Sequence, residues 1–193
     1  MKDRPKYKQI IEAAVEVIAE NGYHNSQVSK IAKKANVADG TIYLYFKNKE
    51  DILISVFKEK MGHFIDKTIE AIAENETASD KLLTLIQMHY KQLSEFPYLA
   101  IVTQLELRQS KPELRKEINK VLKSYLDVID TIVEQGIKEN EFRDDVDPRL
   151  IRQMIFGTLD ETVTTWVMKS QRYSLLDQAE EVHQLLMKGL LQK

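Results

Sequence analysis

The sequence predicts an all-α fold, and three observations support that prediction. Apolar residues recur every three or four positions over most of the 193-residue chain, as they do on one face of a helix. Residues that cap helices precede several of these runs, among them Asn48, Thr77 and Asp147. No stretch alternates apolar and polar residues for more than a few positions, as a half-buried strand would. We therefore expect helices joined by short polar turns.

The first predicted helix runs from Tyr7 to Glu20, and Asn21-Gly22 ends it because glycine leaves the helical conformation easily. A second helix is predicted from Gln27 to Ala35, with the Ser26 hydroxyl capping its free N–H groups. Asn36 follows, and asparagine tolerates the left-handed conformation that often ends a helix. These two helices form the start of a compact N-terminal cluster.

A third, short helix is predicted from Gly40 to Lys47, with Asp39 as its capping residue. Ile42 and Phe46 are four residues apart and share one face, which would pack inside. The outward positions are then Thr41, Tyr43, Leu44, Tyr45 and Lys47. A helix, a short turn and a second helix with polar and aromatic residues outside is the layout of a DNA-binding helix-turn-helix.

The alternative is a plain three-helix cluster in which the tyrosines are half-buried filling. Tyr43 and Tyr45 lie off the face formed by Ile42 and Phe46, so both rings cannot serve the same core. Lysines, whose charge suits phosphate, surround them in the sequence: Lys30, Lys33, Lys34, Lys47 and Lys49. We therefore favour DNA binding.

The helices after this cluster are longer. Asn48 and Asp51 form a capping-box-like start for a helix that continues through Ile72. Thr77 caps the next helix, which ends at about Glu95 because Phe96-Pro97 disfavours a continuous helix. Four further helices are predicted, at residues 97–109, 113–139, 148–169 and 175–191.

Composition and charge restrict the classes of function. Residues 1–50 hold nine Lys and Arg against six Asp and Glu, net +3, whereas the remainder holds 19 against 24, net −5. A basic head on an acidic remainder suits a polyanion at the head only. With no Cys, no apolar leader and no apolar run near the ~20 residues of a membrane span, we expect a cytoplasmic protein. Catalysis is not expected, because no nucleophile elbow, phosphate loop or metal-site spacing occurs.

A family resemblance begins at Tyr7 and extends to Leu53, and its most specific part is GTIYLYFKNK at residues 40–49. This run resembles the N-terminal domain of TetR-type transcriptional regulators. The resemblance implies a helix-turn-helix DNA-binding domain at residues 1–48, and a helical ligand-binding and dimerisation domain at residues 49–193. It also implies a homodimer bound to double-stranded operator DNA and no catalytic role.

A narrower resemblance adds AIVTQLELRQS at residues 100–110 and RQMIFGTLDETVTTWVM at residues 152–168. Together with the N-terminal run, these segments resemble the TetR-type repressors of fatty-acid degradation in Gram-positive bacteria. That resemblance implies release from the operator by long-chain acyl-coenzyme A as effector, with no cofactor. The alternative keeps the fold and replaces the effector with another hydrophobic ligand, such as a drug or a hydrophobic cation.

The resemblance also assigns roles on DNA. Thr41, Tyr43 and Tyr45 would contact phosphates or base edges, while Lys47 and Lys49 would hold the backbone. Leu44 has no polar group and would contact a thymine methyl. The full predicted DNA-binding set is Ser26, Gln27, Ala38, Asp39, Gly40, Thr41, Tyr43, Leu44, Tyr45, Lys47 and Lys49. Replacing Tyr43 or Lys49 by alanine should abolish operator binding without lowering the melting temperature.

The predicted ligand pocket draws on the later helices. Its candidate residues are Phe64, Ile72, Tyr90, Phe96, Gln104, Leu105, Arg108, Tyr125, Met154 and Trp166, although an apolar residue at helical spacing is more often plain core. Arg108 suits the phosphates of a coenzyme A head group, and a surface ion pair with Glu106 is its alternative. His89 could hydrogen-bond a ligand, although a paired core histidine is the more common arrangement.

The last two helices are the predicted dimer interface, since members of the family pair them with their copies as a four-helix bundle. Gly157 and Thr158 would let backbones approach closely. The apolar residues that these helices offer are Ile151, Ile155, Leu159, Val163, Val167, Val182, Leu185, Leu186, Leu190 and Leu191. The alternative is that both faces are buried within one chain.

Overall fold

The computed structural model describes residues 5–191, and the regular elements in that range are helices. In chain order the α-helices are α1 (Pro5–Asn25), α2 (Val28–Lys34), α3 (Asp39–Tyr43), α4 (Lys49–Ile72), α5 (Ala78–Glu95), α6 (Pro97–Glu106), α7 (Pro112–Lys138), α8 (Pro148–Met168) and α9 (Ala179–Leu190). A 3-10 turn at Leu176–Gln178 precedes α9, and Phe142 and Leu191 form an isolated antiparallel bridge. The all-α prediction is confirmed.

Three predicted helix starts are confirmed by hydrogen bonds from side chain to backbone. Asn48, Thr77 and Asp147 each accept a bond from an N–H two or three residues later, at 2.9, 3.0 and 2.9 Å. These bonds satisfy N–H groups that have no partner inside the first turn of a helix. Asp51 completes the start of α4 by accepting a bond from the Lys47 N–H at 2.9 Å.

Two residues turn the chain within the N-terminal cluster by adopting positive φ angles. Gly22 has a φ of 73° and interrupts the helical backbone near the end of α1. Asn36 has a φ of 50° and follows α2 closely. Both were predicted to end a helix, and both do so by entering the region that L-residues other than asparagine and aspartate rarely enter.

Two predicted caps are wrong. Gln27, and not Ser26, occupies the capping position before α2, and its side chain makes no capping bond. Ser26 is fully buried. Ala38 occupies the same position before α3, so Asp39 is already the first residue of that helix. There its carboxylate still suits the positive end of the helix dipole. The helix α3 is also shorter than predicted, since it ends at Tyr43.

The described chain forms two compact units, which the fold assembles from separate stretches of sequence. The head unit contains residues 5–62 and Tyr98–Val121, and the body unit contains His63–Pro97 and residues 122–191. The helices α4 and α7 each contribute residues to both units. The predicted division into a DNA-binding domain at residues 1–48 and a ligand-binding and dimerisation domain at residues 49–193 assigns functions to the chain. It stays a prediction.

Each unit has its own apolar core. At the centre of the head unit the Tyr7 ring stacks on Phe46, with centroids 5.2 Å apart. Their buried neighbours include Ile10, Ile18, Ile31, Ile42, Ile52, Leu53 and Phe57. In the body unit the buried residues include Leu82, Leu85, Ile86, Tyr90, Tyr125, Ile129, Ile155, Leu159 and Val163. Ile42, which was predicted to lie on the inward face of α3, is therefore inside as predicted.

Candidate nucleic-acid interface and ligand site

The helix α3 presents a surface of exposed side chains that its own buried residues hold in place. Tyr43 is 58% exposed and Leu44 is 78% exposed, whereas Ile42 is fully buried. Beside them lie further exposed or half-buried residues of the predicted DNA-binding set. We call the whole group the α3 surface: Gln27, Ala38, Asp39, Gly40, Thr41, Tyr43, Leu44, Tyr45 and Lys47.

Tyr45 and Gly40 show how this surface is built. The Tyr45 ring is half-buried against Tyr7 and Phe46, with centroids 6.3 and 6.4 Å away, so its position is fixed by the core. Gly40 is exposed, and a methyl group added to it would meet no atom within 4 Å. The described chain therefore does not itself require a glycine there, and a bare backbone at that point leaves room for a close approach from outside.

Ser26 is removed from the predicted DNA-binding set. Its side chain is fully buried, and its hydroxyl lies 2.8 Å from the Gly22 carbonyl and 3.1 Å from the Val17 carbonyl. The hydroxyl therefore ties the end of α1 to the start of α2 and cannot reach a phosphate. The sequence shows a serine before a helix but not whether it faces inward.

Lys49 has a structural role that the sequence does not reveal. Its ammonium group donates to the Tyr23 and His24 carbonyls at 3.0 and 2.9 Å and lies 4.6 Å from the centre of the Tyr23 ring. Because these bonds would be lost, we now expect Lys49→Ala to lower the melting temperature as well. A phosphate contact by this lysine would add to its existing bonds.

Other lysines near the α3 surface also have partners inside the head unit. Lys34 pairs with Glu16, which raises the pKa of the lysine, and Lys30 donates to the Asn21 side chain at 3.0 Å. Lys34 is thus paired with a carboxylate already counted in the net charge of residues 1–50, whereas Lys30 keeps its charge beside a neutral amide. Among the predicted lysines, Lys47 is exposed and lies four residues after the end of α3.

The end of α6 and the segment after it are bonded to α1 and α4 within the head unit. One Glu106 carboxylate oxygen accepts from the Tyr23 N–H at 2.8 Å, and the other accepts from the Gln109 side chain at 2.6 Å. Lys111 pairs with Glu50 at 2.7 Å. Both oxygens of Glu106, the predicted alternative partner of Arg108, are thus used by other groups. Arg108 itself is exposed and has further contacts.

The body unit contains a buried aromatic cluster built from α4, α5, α7 and α8. Phe64 meets His89 and Tyr125 edge to face, with centroids 5.5 and 5.7 Å away, and Tyr125 meets Phe156 at 6.3 Å. Tyr90 lies next to His89, with centroids 6.1 Å apart. The prediction had included Phe64, Tyr90 and Tyr125, and the structure brings these three together.

A polar network crosses this cluster. The His89 Nδ1 and the Tyr125 hydroxyl are hydrogen-bonded at 2.8 Å. Burial lowers the pKa of His89 to about 3, so the imidazole is neutral, and burial raises the pKa of Tyr90 and Tyr125, so both phenols keep their protons. The Nε2 atom of His89 and the hydroxyl of Tyr90 have no hydrogen-bond partner among the described residues.

The remaining predicted pocket residues lie in different surroundings. Ile72 and Trp166 are buried in the body unit, and the Trp166 indole donates to the Tyr173 carbonyl at 2.8 Å. Phe96 and Met154 are 53% and 59% exposed, so both lie at the surface of the single chain. Three others belong to the head unit, where one is buried and two are exposed: Gln104, Leu105 and Arg108.

The helices α8 and α9 expose an apolar face. Leu150, Met154 and Leu185 are 50%, 59% and 68% exposed and line a groove of about 250 Å³. Ile151, Ile155, Leu159 and Val163, predicted for the interface, are instead buried inside the chain. These four residues face the body core because α8 is apolar on two sides, whereas Leu185 and Leu191 of the same predicted set are exposed. Gly157 is exposed and has open space around it.

Between residues 5 and 191, no group of three or more His, Asp or Glu side chains is arranged to hold a metal ion. Across the same residues, no helix combines the length and the apolar character that crossing a membrane requires.

Comparison with family models matches the chain in two parts. Residues 10–56 match the N-terminal model of bacterial regulatory proteins of the tetR family. Residues 57–189 match the model of the YsiA-like protein C-terminal region. Together the two models cover nearly all of the described chain.

Individual relatives agree with this match. The fatty acid metabolism regulator protein of Bacillus subtilis is 62% identical over 190 residues, which is 98% of either chain. The crystal structure of FadR from Bacillus subtilis in complex with stearoyl-CoA superimposes with a TM-score of 0.92 at 62% identity, covering 95% of this chain and 98% of that one. FadR from Bacillus halodurans, a fatty acid degradation regulator, gives 0.91 at 59% identity, covering 95% and 99%.

Proposed function

This chain belongs to the tetR family of bacterial regulatory proteins, and from that premise we propose that it represses fatty-acid degradation genes and is released from its operator by long-chain acyl-CoA. The similarity that supports this proposal extends over 98% of the chain at 62% identity, to a regulator of fatty acid metabolism. The similar FadR structure contains stearoyl-CoA. The function has no catalytic step and takes place in the cytoplasm, where a bacterial operator is found.

The DNA-binding part of the proposal depends on the α3 surface. Buried Ile42 and Phe46 fix α3 from below, and Tyr43, Leu44 and Lys47 are exposed above them. Such a helix suits the major groove, where phenol and ammonium groups contact phosphates and a leucine contacts a thymine methyl. Residues 1–48 are the proposed DNA-binding domain, and residues 49–193 the proposed ligand-binding and dimerisation domain.

A binding titration against DNA tests the α3 surface. Fluorescence anisotropy with fragments of the source chromosome, at two salt concentrations, should identify an operator that the parent protein binds more weakly at high salt. Tyr43→Ala should weaken binding by at least about tenfold at an unchanged melting temperature, since its ring is largely exposed. Lys47→Ala should reduce the salt slope by about 1, whereas Lys138→Ala, with the same change in charge, should not. Equal affinities for parent and Tyr43→Ala would exclude this surface.

Dimerisation is proposed through the apolar face of α8 and α9. Exposed leucine and methionine side chains around a groove are unfavourable in water and suit a second copy of the same face. A two-fold dimer would present two α3 helices to a palindromic operator. Leu185→Glu should give a monomer in size-exclusion chromatography with light scattering. The control Glu134→Gln, which changes an exposed residue of α7, should remain a dimer. A dimeric Leu185→Glu protein would exclude this face.

Ligand control is proposed as a shift between conformations of the dimer. Acyl-CoA would bind the conformation with low operator affinity more tightly, and the shift cannot exceed the difference between its two affinities. Isothermal titration of the purified protein with stearoyl-CoA, and in parallel with a cationic dye, separates this effector from a multidrug-type one. Adding stearoyl-CoA to the operator complex should then release the DNA. Binding of the dye alone would contradict the proposed effector.

A further inference from the structure

The aromatic cluster of the body unit contains two polar atoms that the chain leaves unpaired. His89 is 5% exposed and Tyr90 is fully buried, yet neither His89 Nε2 nor the Tyr90 hydroxyl has a hydrogen-bond partner within residues 5–191. The Thr162 hydroxyl is near the Tyr90 oxygen but outside hydrogen-bonding geometry, and it donates to the Thr158 carbonyl at 2.6 Å. Two adjacent residues on α5 thus carry unused polar groups into an apolar interior.

Such an arrangement is unfavourable unless something pairs with these atoms. Buried polar groups in proteins are almost always hydrogen-bonded, since the hydration they lose is otherwise not replaced. Phenylalanine and leucine side chains of similar size would fill the same space without this loss. A bound molecule that accepts hydrogen bonds would pair with the His89 and Tyr90 atoms and remove this cost.

The protonation states define what kind of partner fits. The His89 imidazole is neutral, since burial lowers its pKa to about 3. If Tyr125 donates its proton to His89 Nδ1, one polar hydrogen remains unpaired on the imidazole, at Nε2. The opposite direction would leave both the Tyr125 proton and the Nε2 lone pair unpaired. The first arrangement satisfies more groups, so Nε2–H and the Tyr90 O–H are both hydrogen-bond donors.

Two neutral donors among aromatic rings suit a neutral acceptor. Phe64 stands edge-on to His89 at an interplanar angle of 88°, and Phe156 packs against Tyr125, so the surroundings are apolar. A carboxylate or phosphate there would lose its hydration with no cation to compensate. A carbonyl oxygen has two lone pairs, no charge and a low cost of burial. It is therefore the acceptor that these donors match.

We propose that His89 and Tyr90 form a polar subsite for the carbonyl oxygen of an acyl thioester, with Tyr125 as the positioning residue that sets the histidine tautomer. This inference rests on the proposed effector, a long-chain acyl-CoA, and names the atom of it that the body unit recognises. Apolar residues of the body unit would contact the hydrocarbon chain of any long ligand. The His89–Tyr90 subsite would therefore be the part that distinguishes a thioester from other long apolar ligands.

The test compares two ligands that differ in this carbonyl alone. Isothermal titration of the full chain uses stearoyl-CoA and its thioether analogue S-octadecyl-CoA, which has the same chain length but lacks the oxygen. The parent protein should bind the thioester about tenfold more tightly, the effect of one or two buried hydrogen bonds. Tyr90→Phe should lower the affinity for stearoyl-CoA about tenfold and leave the thioether unchanged, so that the preference disappears.

Two further variants separate binding from folding. His89→Gln keeps a polar group for Tyr125 but removes Nε2–H, and it should reduce the preference as Tyr90→Phe does. Tyr98→Phe, which removes a hydroxyl from an exposed tyrosine of the head unit, should retain the full preference. Circular dichroism on each variant confirms that the fold is intact before affinities are compared.

Each contrary outcome has a distinct meaning. Equal affinities of the parent protein for the two ligands would overturn the subsite while leaving the acyl-CoA effector in place. An unchanged preference in Tyr90→Phe and His89→Gln would show that other groups recognise the carbonyl, which also overturns the subsite. If neither ligand binds the parent protein, judged both by the titration and by release of the operator DNA, the proposed effector is overturned and the subsite with it.

Discussion

The head and body units both bury polar side chains, but they pair them differently. In the head unit the Ser26 hydroxyl is within hydrogen-bonding distance of two backbone carbonyls, and the Tyr7 hydroxyl donates to Glu59 at 3.1 Å. In the body unit His89 Nε2 and the Tyr90 hydroxyl are buried without a partner among the described residues. The first arrangement is complete within the chain, whereas the second is complete only with a bound molecule.

This difference indicates how the two units recognise their targets. A DNA-binding head benefits from a fixed surface, since the phosphates of a duplex are found at regular positions. A ligand-binding body gains specificity when its unpaired donors are satisfied by one class of ligand only, because other ligands leave them unpaired. The following predictions, on pH and on single substitutions, test the comparison, beginning with the largest expected effect.

Acid should destabilise the protein through His89. The pKa of this histidine is lowered by burial to about 3, whereas an unfolded histidine titrates near pH 6.5. Above about pH 6.5 both states hold a neutral imidazole, and between about 6.5 and 3 only the unfolded state binds the proton. The free energy of unfolding should therefore fall by up to about 1.4 kcal/mol per pH unit in that window.

Urea unfolding between about pH 7 and pH 5 measures this dependence, and the His89→Gln variant is the control, since the carboxylates titrate in both proteins. The variant should lose less stability on acidification than the parent protein. Parallel curves for the two proteins would mean that the buried imidazole accepts a proton in the folded state.

In the head unit, Lys49→Met should lower the free energy of unfolding by about 2 kcal/mol. The substitution keeps the length of the side chain and removes the bonds from the ammonium group to the Tyr23 and His24 carbonyls. Lys47→Met is the matched control, because Lys47 is exposed, and it should stay within about 0.5 kcal/mol of the parent protein. Equal free energies of unfolding for the two variants would show that the Lys49 bonds do not stabilise the fold.

Ser26→Ala should cost about 1 kcal/mol. It removes a hydroxyl that lies within hydrogen-bonding distance of the Val17 and Gly22 carbonyls in a fully buried position. Ser29→Ala changes an exposed serine on the following helix and should have no measurable effect. Thermal melts followed by circular dichroism compare the two variants. If Ser26→Ala were as stable as its control, the paired hydroxyl of the head unit would not contribute to stability.

Tyr90→Phe should have the smallest effect on the ligand-free protein, within about 0.5 kcal/mol or slightly stabilising. The hydroxyl that it removes has no partner, so no bond is lost and one buried polar group disappears. Tyr125→Phe deletes a paired hydroxyl from the same cluster and should cost about 1 kcal/mol. A clearly destabilised Tyr90→Phe protein would show that its hydroxyl is already satisfied.

Local signals in the sequence predicted the helices well. Asn48, Thr77 and Asp147 act on N–H groups two or three residues away, and Gly22 and Asn36 act through their own φ angles. Neither mechanism depends on the rest of the fold, so a reader of the sequence alone can apply it.

Features that depend on distant residues were not predictable in the same way. The bonds of Lys49 reach residues 25 and 26 positions away, and the burial of Ser26 depends on how α1 meets α2. On α8 the periodic apolar residues fill two faces, and only packing decides that Ile155 is inside and Met154 outside. Tyr90 was among the predicted pocket residues and His89 was a possible ligand partner, but only the packed structure shows that their polar atoms lack partners in the described chain.

The bond from Glu106 to the Tyr23 N–H has a practical meaning for protein engineering. The turn before α2 is completed by a side chain 83 positions further along, and Lys111 holds the start of α4 through Glu50. A chimera that transplants only residues 1–48 onto another regulator would leave both interactions to chance in the host. Grafts that carry residues 98–121 along with the N-terminal segment would transfer the recognition module with its own supports.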